Sequence, residues 1–337
     1  VAGRAMKIAF FELKEWEKDY LAARLGKAEL SFSADRLDDT HLPRLTDADC
    51  VSVFVHSRLS RELLEQMSRL KLLATRSTGY DHIDAAYCRE RGIGVANVPS
   101  YGEYTVAEHT FALILSLSRN VHKSYRHAVE GRMDLAALTG FDLKDKTLGV
   151  IGAGRIGLHV IKIARGFGMR VLAFDVRQDA FLAELLHFDY VPVDRLLAES
   201  DIITLHAPST PQTHHLLNRE RLGQTKHGAL LINTSRGSLV DTDALIEALD
   251  TGQLGGAALD VLEGEELIKE EHELLHAPQA AEALQALVRR SVLLKHENVV
   301  FTPHNAFNSR EALERILDTT VQNILAWQRG QRLNRIV

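Results

Sequence analysis

LGVIGAGRIGLHVIKIARGFGMRVLAFD, residues 148–175, decides the fold. A continuously apolar run, LGVI, meets glycines at 152, 154 and 157; a helix-compatible stretch follows, and a second apolar run, RVLAF, stops at Asp175. Continuous rather than alternating apolarity marks strands covered on both faces, the condition of a parallel sheet. Between two such strands each glycine has a task. Gly152 permits the tight turn, Gly154 lets backbone amides approach a pyrophosphate, and Gly157 lets helix and strand pack closely, with the helix N-terminus facing the anion. Asp175 falls eighteen residues beyond Gly157, where an acidic group accepts hydrogen bonds from an adenosine ribose. The segment predicts a dinucleotide site. A carboxylate there repels a 2′-phosphate and favours NAD over NADP, although Arg177 offsets part of that repulsion.

Working outward, similar runs recur at Lys7–Phe11, Val51–Val55, Leu70–Thr75, Ile202–Leu205, Ala229–Asn233, Ala257–Asp260 and Val299–Thr302, with helix-compatible segments between most of them. Strand alternating with helix means parallel α/β sheets. A chain of 337 residues exceeds the usual size of one hydrophobic core. Because the glycine signature begins only at Gly152, the first hundred residues must build a separate α/β domain, into which the second is inserted. Long helical patterns cover 103–119 and 309–329, each placed to bridge two domains.

Composition excludes more than it assigns. The chain is 45% hydrophobic and 25% charged, as ordinary globular proteins are. Its net charge of −5 and lack of Lys/Arg runs argue against nucleic acid as a partner. Cys50 and Cys88 stand outside any metal or redox spacing and fit reduced cytoplasmic thiols, so no metal site is expected. The most apolar helical stretch, 106–117, carries Glu108 and His109 and is too short to span a bilayer. The opening VAGRA lacks the apolar run of a signal peptide, and residues 1–5 read as an upstream extension.

Seven segments, the glycine turn among them, occur in order: RSTGYDHID (76–84), NVPSYGEYTVAEHT (97–110), GAGRIG (152–157), HAPSTPQTHHLLN (206–218), INTSRGSLVD (232–241), ALDVLEGEE (258–266) and TPHNAFNS (302–309). Together they resemble the D-isomer-specific 2-hydroxyacid dehydrogenase family, particularly its D-lactate dehydrogenase-like members, over residues 51–325. The resemblance implies two doubly wound parallel-sheet domains with a cleft between them: a Rossmann NAD-binding domain at 102–307, inserted in a flavodoxin-like substrate domain of 6–101 plus 308–337. It also implies a homodimer built partly on the long helix after Pro99, and reduction of a small 2-oxo acid to the D-2-hydroxy acid, pyruvate to D-lactate first among them.

By the same resemblance Arg236, Glu265 and His304 hold the catalytic positions, and each has its own rationale. Hydride arriving at a keto carbon builds negative charge on oxygen, so a proton donor must sit beside it. His304 supplies one near neutral pH, and Glu265 stabilises the imidazolium and fixes the ring. Arg236 offers a planar fork for the substrate carboxylate. The resemblance places substrate contacts at Thr78 and Gly79, through backbone amides, and at Tyr101 and Phe307. It places further cofactor contacts at Arg155, Ile156, Pro208, Thr213, Thr234 and Asp260. His56 ends a strand toward the same expected cleft, and His109 reads as a helix-packing residue. The charged segment 266–297 replaces a short proline-rich loop of many relatives and reads as a surface excursion. Glyoxylate or hydroxypyruvate reduction is the nearest alternative chemistry, and an NAD-sensing co-repressor-like module the alternative class.

Overall fold

Every apolar run named above forms a strand, with ends shifted by at most a few residues, and the sheets are parallel throughout. The computed structural model describes residues 5–26, 28–45, 47–265 and 280–337. These fall into two compact units, Val1–Tyr101 with Ser309–Val337, and Gly102–Asn308.

The first unit contains β1 (Lys7–Phe10), β2 (Glu29–Phe32), β3 (Cys50–Val53), β4 (Leu72–Thr75) and β5 (Gly94–Ala96), in the spatial order β2-β1-β3-β4-β5. Two apolar clusters cover its faces. One gathers Val51, Val53, Leu59, Leu73 and Val95, the other Ile8, Phe10, Leu72 and Ile324. Ile324 comes from the helix Arg310–Gln328, whose N-terminus is capped by the Ser309 hydroxyl accepting from Ala312 N at 3.1 Å.

The second unit contains β6 (Thr147–Ile151), β7 (Arg170–Phe174), β8 (Asp189–Tyr190), β9 (Ile202–Leu205), β10 (Ala229–Asn233), β11 (Leu254–Leu259) and β12 (Val299–Phe301). Their order is β12-β11-β10-β9-β6-β7-β8. The chain order reverses between β6 and β9, and in open α/β sheets the ligand crevice lies beyond the strand ends at such a switch point. The helix Glu103–Ser118 lies on one face of this sheet: Ala107, Phe111 and Ile114 pack in one cluster with Val150, Val160 and Ile232.

β2, β5 and β8 were not expected. β2 and β5 flank the first sheet and β8 the second; they span four, three and two residues, and β2 alternates between exposed and half-buried side chains. β2 and β8 leave their side chains exposed or half-buried, so no long apolar run is required, and β5, though buried, is only three residues long. Of the segment 266–297, the helix Ala280–Leu293 belongs to the second unit, with Leu293 buried in its core and Arg289 Nε donating to Asp243 Oδ1 at 2.7 Å. Residues 266–279 lie outside the described residues.

Candidate active site

At the switch point of the second unit the glycine turn is walled in two places and open in one. Gly152 has φ +99°, and a Cβ there would stand 2.6 Å from the His206 carbonyl carbon. A Cβ on Gly157 would stand 2.0 Å from Gly152 O. Side chains at both positions would force the backbone apart. Gly154, by contrast, would meet nothing within 4 Å. It is the N-cap of the helix Arg155–Gly166, whose first turn receives no side-chain cap. Helix N-terminal amides without an internal partner, beside an open glycine, form the cradle that a pyrophosphate fills. A dinucleotide fits these residues.

Asp175 follows β7, and its carboxylate accepts from Ala153 N at 2.7 Å and from Arg177 N at 2.8 Å. The residue expected at the ribose thus also pins the glycine turn. Arg155 Nη1 donates to Glu103 Oε1 at 3.2 Å, and Ile156 packs half-buried against the core. Thr213 ties the turn after β9, its hydroxyl accepting from Thr210 N at 2.8 Å and donating to Pro208 O at 2.7 Å. Thr234, past the end of β10, is buried with its hydroxyl 3.0 Å from that of Thr110.

Three loops meet beyond β10, β11 and β12. His304 Nδ1 lies 2.9 Å from Glu265 Oε1, and Glu265 Oε2 accepts from Leu262 N at 3.1 Å. The carboxylate therefore orients the ring while its own loop holds it. Arg236 donates from Nη1 to Ser235 O at 2.8 Å. The next residue, Gly237, is seated so closely on the neighbouring loop that a Cβ would lie 2.1 Å from the Leu262 carbonyl carbon. Residues 29 and 39 positions from Glu265 in the chain are in this way brought to one loop cluster. His304 has φ +49°, a left-handed conformation that His, Asn and Asp tolerate better than most side chains.

Asp260 governs that conformation. It is 1% exposed, and its carboxylate accepts from Asn305 N at 2.8 Å, Ala306 N at 2.9 Å and the Thr302 hydroxyl, while His304 N donates to its carbonyl at 2.8 Å. His109 Nε2 stands 3.4 Å from Asp260 Oδ1 and 3.0 Å from Thr302 Oγ1. Burial alone would raise the Asp260 pKa, but hydrogen bonds from His109, Thr302, Ala306 and Asn305 outweigh it and hold the carboxyl below its ordinary value. An unpartnered buried carboxylate would cost several kcal/mol, whereas exposed ion pairs such as Arg310–Glu314 contribute about 0–1 kcal/mol. The buried network is thus the costlier one to break. His109 does more than pack, and its signal in the sequence was a polar ring inside an apolar helix. His206, missed as well, sits against Gly152 with Nε2 3.0 Å from Thr204 Oγ1, and burial pushes its pKa down to about 3, so the ring stays neutral.

In the first unit Thr78 donates its hydroxyl to Val98 O at 2.8 Å, and Gly79 O accepts from the Ser77 hydroxyl at 2.6 Å. Tyr101 closes the first segment of this unit, its carbonyl accepting from Arg315 Nε at 2.8 Å; Phe307 belongs to the second unit. At the first unit's own switch point, between β1 and β3, Glu12 accepts from Phe54 N and His56 N, both at 2.8 Å. His56 is exposed, its ring edge-on to Phe54 with centroids 6.4 Å apart.

A doubly wound parallel sheet with this cradle and this imidazole–carboxylate pair defines a dinucleotide-dependent oxidoreductase. The profile of the D-isomer specific 2-hydroxyacid dehydrogenase NAD binding domain matches residues 111–306. The chain is 37% identical to the D-lactate dehydrogenase of Escherichia coli, covering 97% of this chain and 98% of that one. It is 36% identical to the glyoxylate reductase of Korarchaeum cryptofilum, covering 91% and 90%. Its structure resembles that of the Aquifex aeolicus D-lactate dehydrogenase complexed with NAD and lactic acid, with TM-score 0.83, 37% identity and 96% coverage of both chains. The chain belongs to the D-isomer-specific 2-hydroxyacid dehydrogenase family and is an NAD-dependent dehydrogenase.

Proposed function

We propose that the enzyme reduces pyruvate to D-lactate, and catalyses the reverse, with Arg236, Glu265 and His304 as its reacting groups. The observation that carries this reading is the 2.9 Å approach of His304 Nδ1 to Glu265 Oε1. NAD, when bound, carries the hydride that leaves or reaches the substrate carbon. Gly152, Gly154, Gly157 and the first turn at Arg155 and Ile156 hold the pyrophosphate, Asp175 the ribose, and the loops of Pro208, Thr213, Thr234 and Asp260 the remainder. With Nδ1 turned to Glu265, His304 presents Nε2 to the keto oxygen and gives it a proton as charge develops there. In the reverse direction Nε2 takes the hydroxyl proton, and Glu265 compensates the imidazolium. Arg236 binds the carboxylate and polarises the carbonyl. Further substrate contacts are proposed at Thr78, Gly79, Tyr101 and Phe307.

Relatives named for lactate and for glyoxylate are almost equally similar to this chain, so reduction of glyoxylate or hydroxypyruvate is the second reading. Steady-state NADH oxidation with pyruvate, glyoxylate, hydroxypyruvate and phenylpyruvate separates the two, and chiral analysis gives the product's hand. The highest kcat/KM is expected for pyruvate with D-lactate formed; a higher value for glyoxylate transfers the assignment to the second reading.

The same proposal includes a cytoplasmic homodimer. Tyr125, Val129, Met133 and Leu135, on and just beyond the helix Val121–Val129, are 69–79% exposed. Large apolar side chains left exposed so close together in the chain suit a surface that a second copy covers. Sedimentation of the enzyme from a cytoplasmic extract should give twice the chain mass. A species of one chain mass removes the dimer, and activity confined to a membrane or exported fraction removes the location.

A further inference from the structure

Away from the reacting groups, the second unit gathers His214, His215 and Glu263. Adjacent side chains of an extended chain point to opposite sides, but His215 has φ +47°. The two imidazoles consequently lie with ring centroids 4.0 Å apart, tilted by 49°. His215 Nε2 stands 2.6 Å from Glu263 Oε1, and Glu263 Oε2 accepts from the Thr242 hydroxyl at 3.0 Å. One nitrogen or oxygen from each of the three residues lies within 4.8 Å of the other two. His214 is exposed and the others half-buried. The two histidines line a cavity of about 420 Å³ together with Asp194, Gln212 and Asn218.

We propose that His214, His215 and Glu263 bind a divalent transition-metal ion of the zinc type. Two imidazole nitrogens and one carboxylate oxygen are donors that suit Zn²⁺, Ni²⁺ or Cu²⁺, whereas Ca²⁺ and Mg²⁺ prefer oxygen throughout. Bonds of about 2.0–2.2 Å in a tetrahedral set separate ligand atoms by roughly 3.3–3.5 Å. Rotation of the exposed His214 side chain would bring its nitrogen toward that spacing, and the 2.6 Å pair of His215 Nε2 and Glu263 Oε1 would open to admit the ion. The metal takes the Nε2 lone pair of His215 in place of the hydrogen bond to Glu263, and the neutral ring carries its proton on Nδ1. Thr242 keeps the carboxylate oriented, as outer-shell hydrogen bonds do in metal sites. The fourth position faces the cavity and takes water.

An ordinary histidine–carboxylate pair would account for His215 and Glu263, but it gives no role to the placement of His214. The ion would join two loops that already touch the reacting groups. His215 N donates to Ser238 O, just past Arg236, at 2.8 Å, and Glu263 precedes Glu265 by two residues. No expectation of a metal arises from the sequence, because His215 and Glu263 are 48 residues apart.

The test uses full-length enzyme stripped with a chelator, titrated with ZnCl₂ by calorimetry, with the unfolding midpoint followed in parallel. Saturable binding of a single ion and a raised midpoint are expected for the parent enzyme. His214→Ala should weaken binding tenfold or more and cancel the rise, while turnover in metal-free buffer stays at the parent value. Glu265→Gln, which alters the other imidazole–carboxylate pair, should bind zinc as the parent does. Absence of saturable binding in the parent, unchanged binding in His214→Ala, or loss of binding in Glu265→Gln alone overturns the proposal.

Discussion

Replacing His304 by asparagine is expected to lower kcat for 2-oxo acid reduction roughly 10²- to 10⁴-fold, the usual share of a positioned general acid. At about 1.4 kcal/mol per decade this amounts to about 3–5.5 kcal/mol of transition-state stabilisation. Asparagine suits the experiment because it adopts left-handed backbone nearly as readily as histidine; His304 sits at φ +49°, and glutamine would add strain there. The backbone bond from His304 N to Asp260 O survives the change, as does the network around the Asp260 carboxylate. The unfolding midpoint and NADH affinity should therefore stay near the parent values while turnover falls. A kcat within threefold of the parent would remove His304 from proton transfer. The bond to Glu265 would then be structural.

Arg236→Lys is expected to lower kcat/KM for pyruvate by about 10²- to 10³-fold, the range seen when one donor to a developing oxyanion is lost. Lysine preserves the charge, so long-range attraction of an anionic substrate is retained. What disappears is the planar fork, which binds a carboxylate through two parallel hydrogen bonds and cannot be imitated by a point charge. Much of the loss should appear in KM, since the same group binds the ground state and polarises the carbonyl. NADH binding should be unaffected, because the glycine cradle lies at the switch point between β6 and β9, whereas Arg236 follows β10. If KM and kcat both stay within threefold of the parent, the substrate carboxylate is bound elsewhere.

Much of this enzyme was legible along the chain. The sheet interior at Leu148–Ile151 and Ala229–Asn233, the helix at Glu103–Ser118 and the glycine turn are local features, and a parallel strand or an anion-binding turn imposes its residue types directly on the sequence. Edge strands without an apolar run were not legible, although the edge strand Val299–Phe301 was. Glu29–Phe32 and Asp189–Tyr190 are paired on one side only, and that condition demands no apolar run.

His109 shows the limit inside the site. From the sequence it is a polar residue on an apolar helix. In the folded chain it meets Asp260 and Thr302, 151 and 193 residues away.

What the sequence determined by itself was the class of fold and the glycine signature of the cofactor cradle, since both rest on residue type at a short spacing; Arg236, Glu265 and His304 became candidates only through the family resemblance. Only the tertiary structure decided that Glu265 Oε1 meets His304 Nδ1, that Gly237 seats the Arg236 loop on Leu262, and that Asp260 is spent on holding the 302–306 turn. These depend on loops brought together by the sheet order β12-β11-β10. Hydrogen bonds and contacts between loops distant in the chain leave no periodic trace in it.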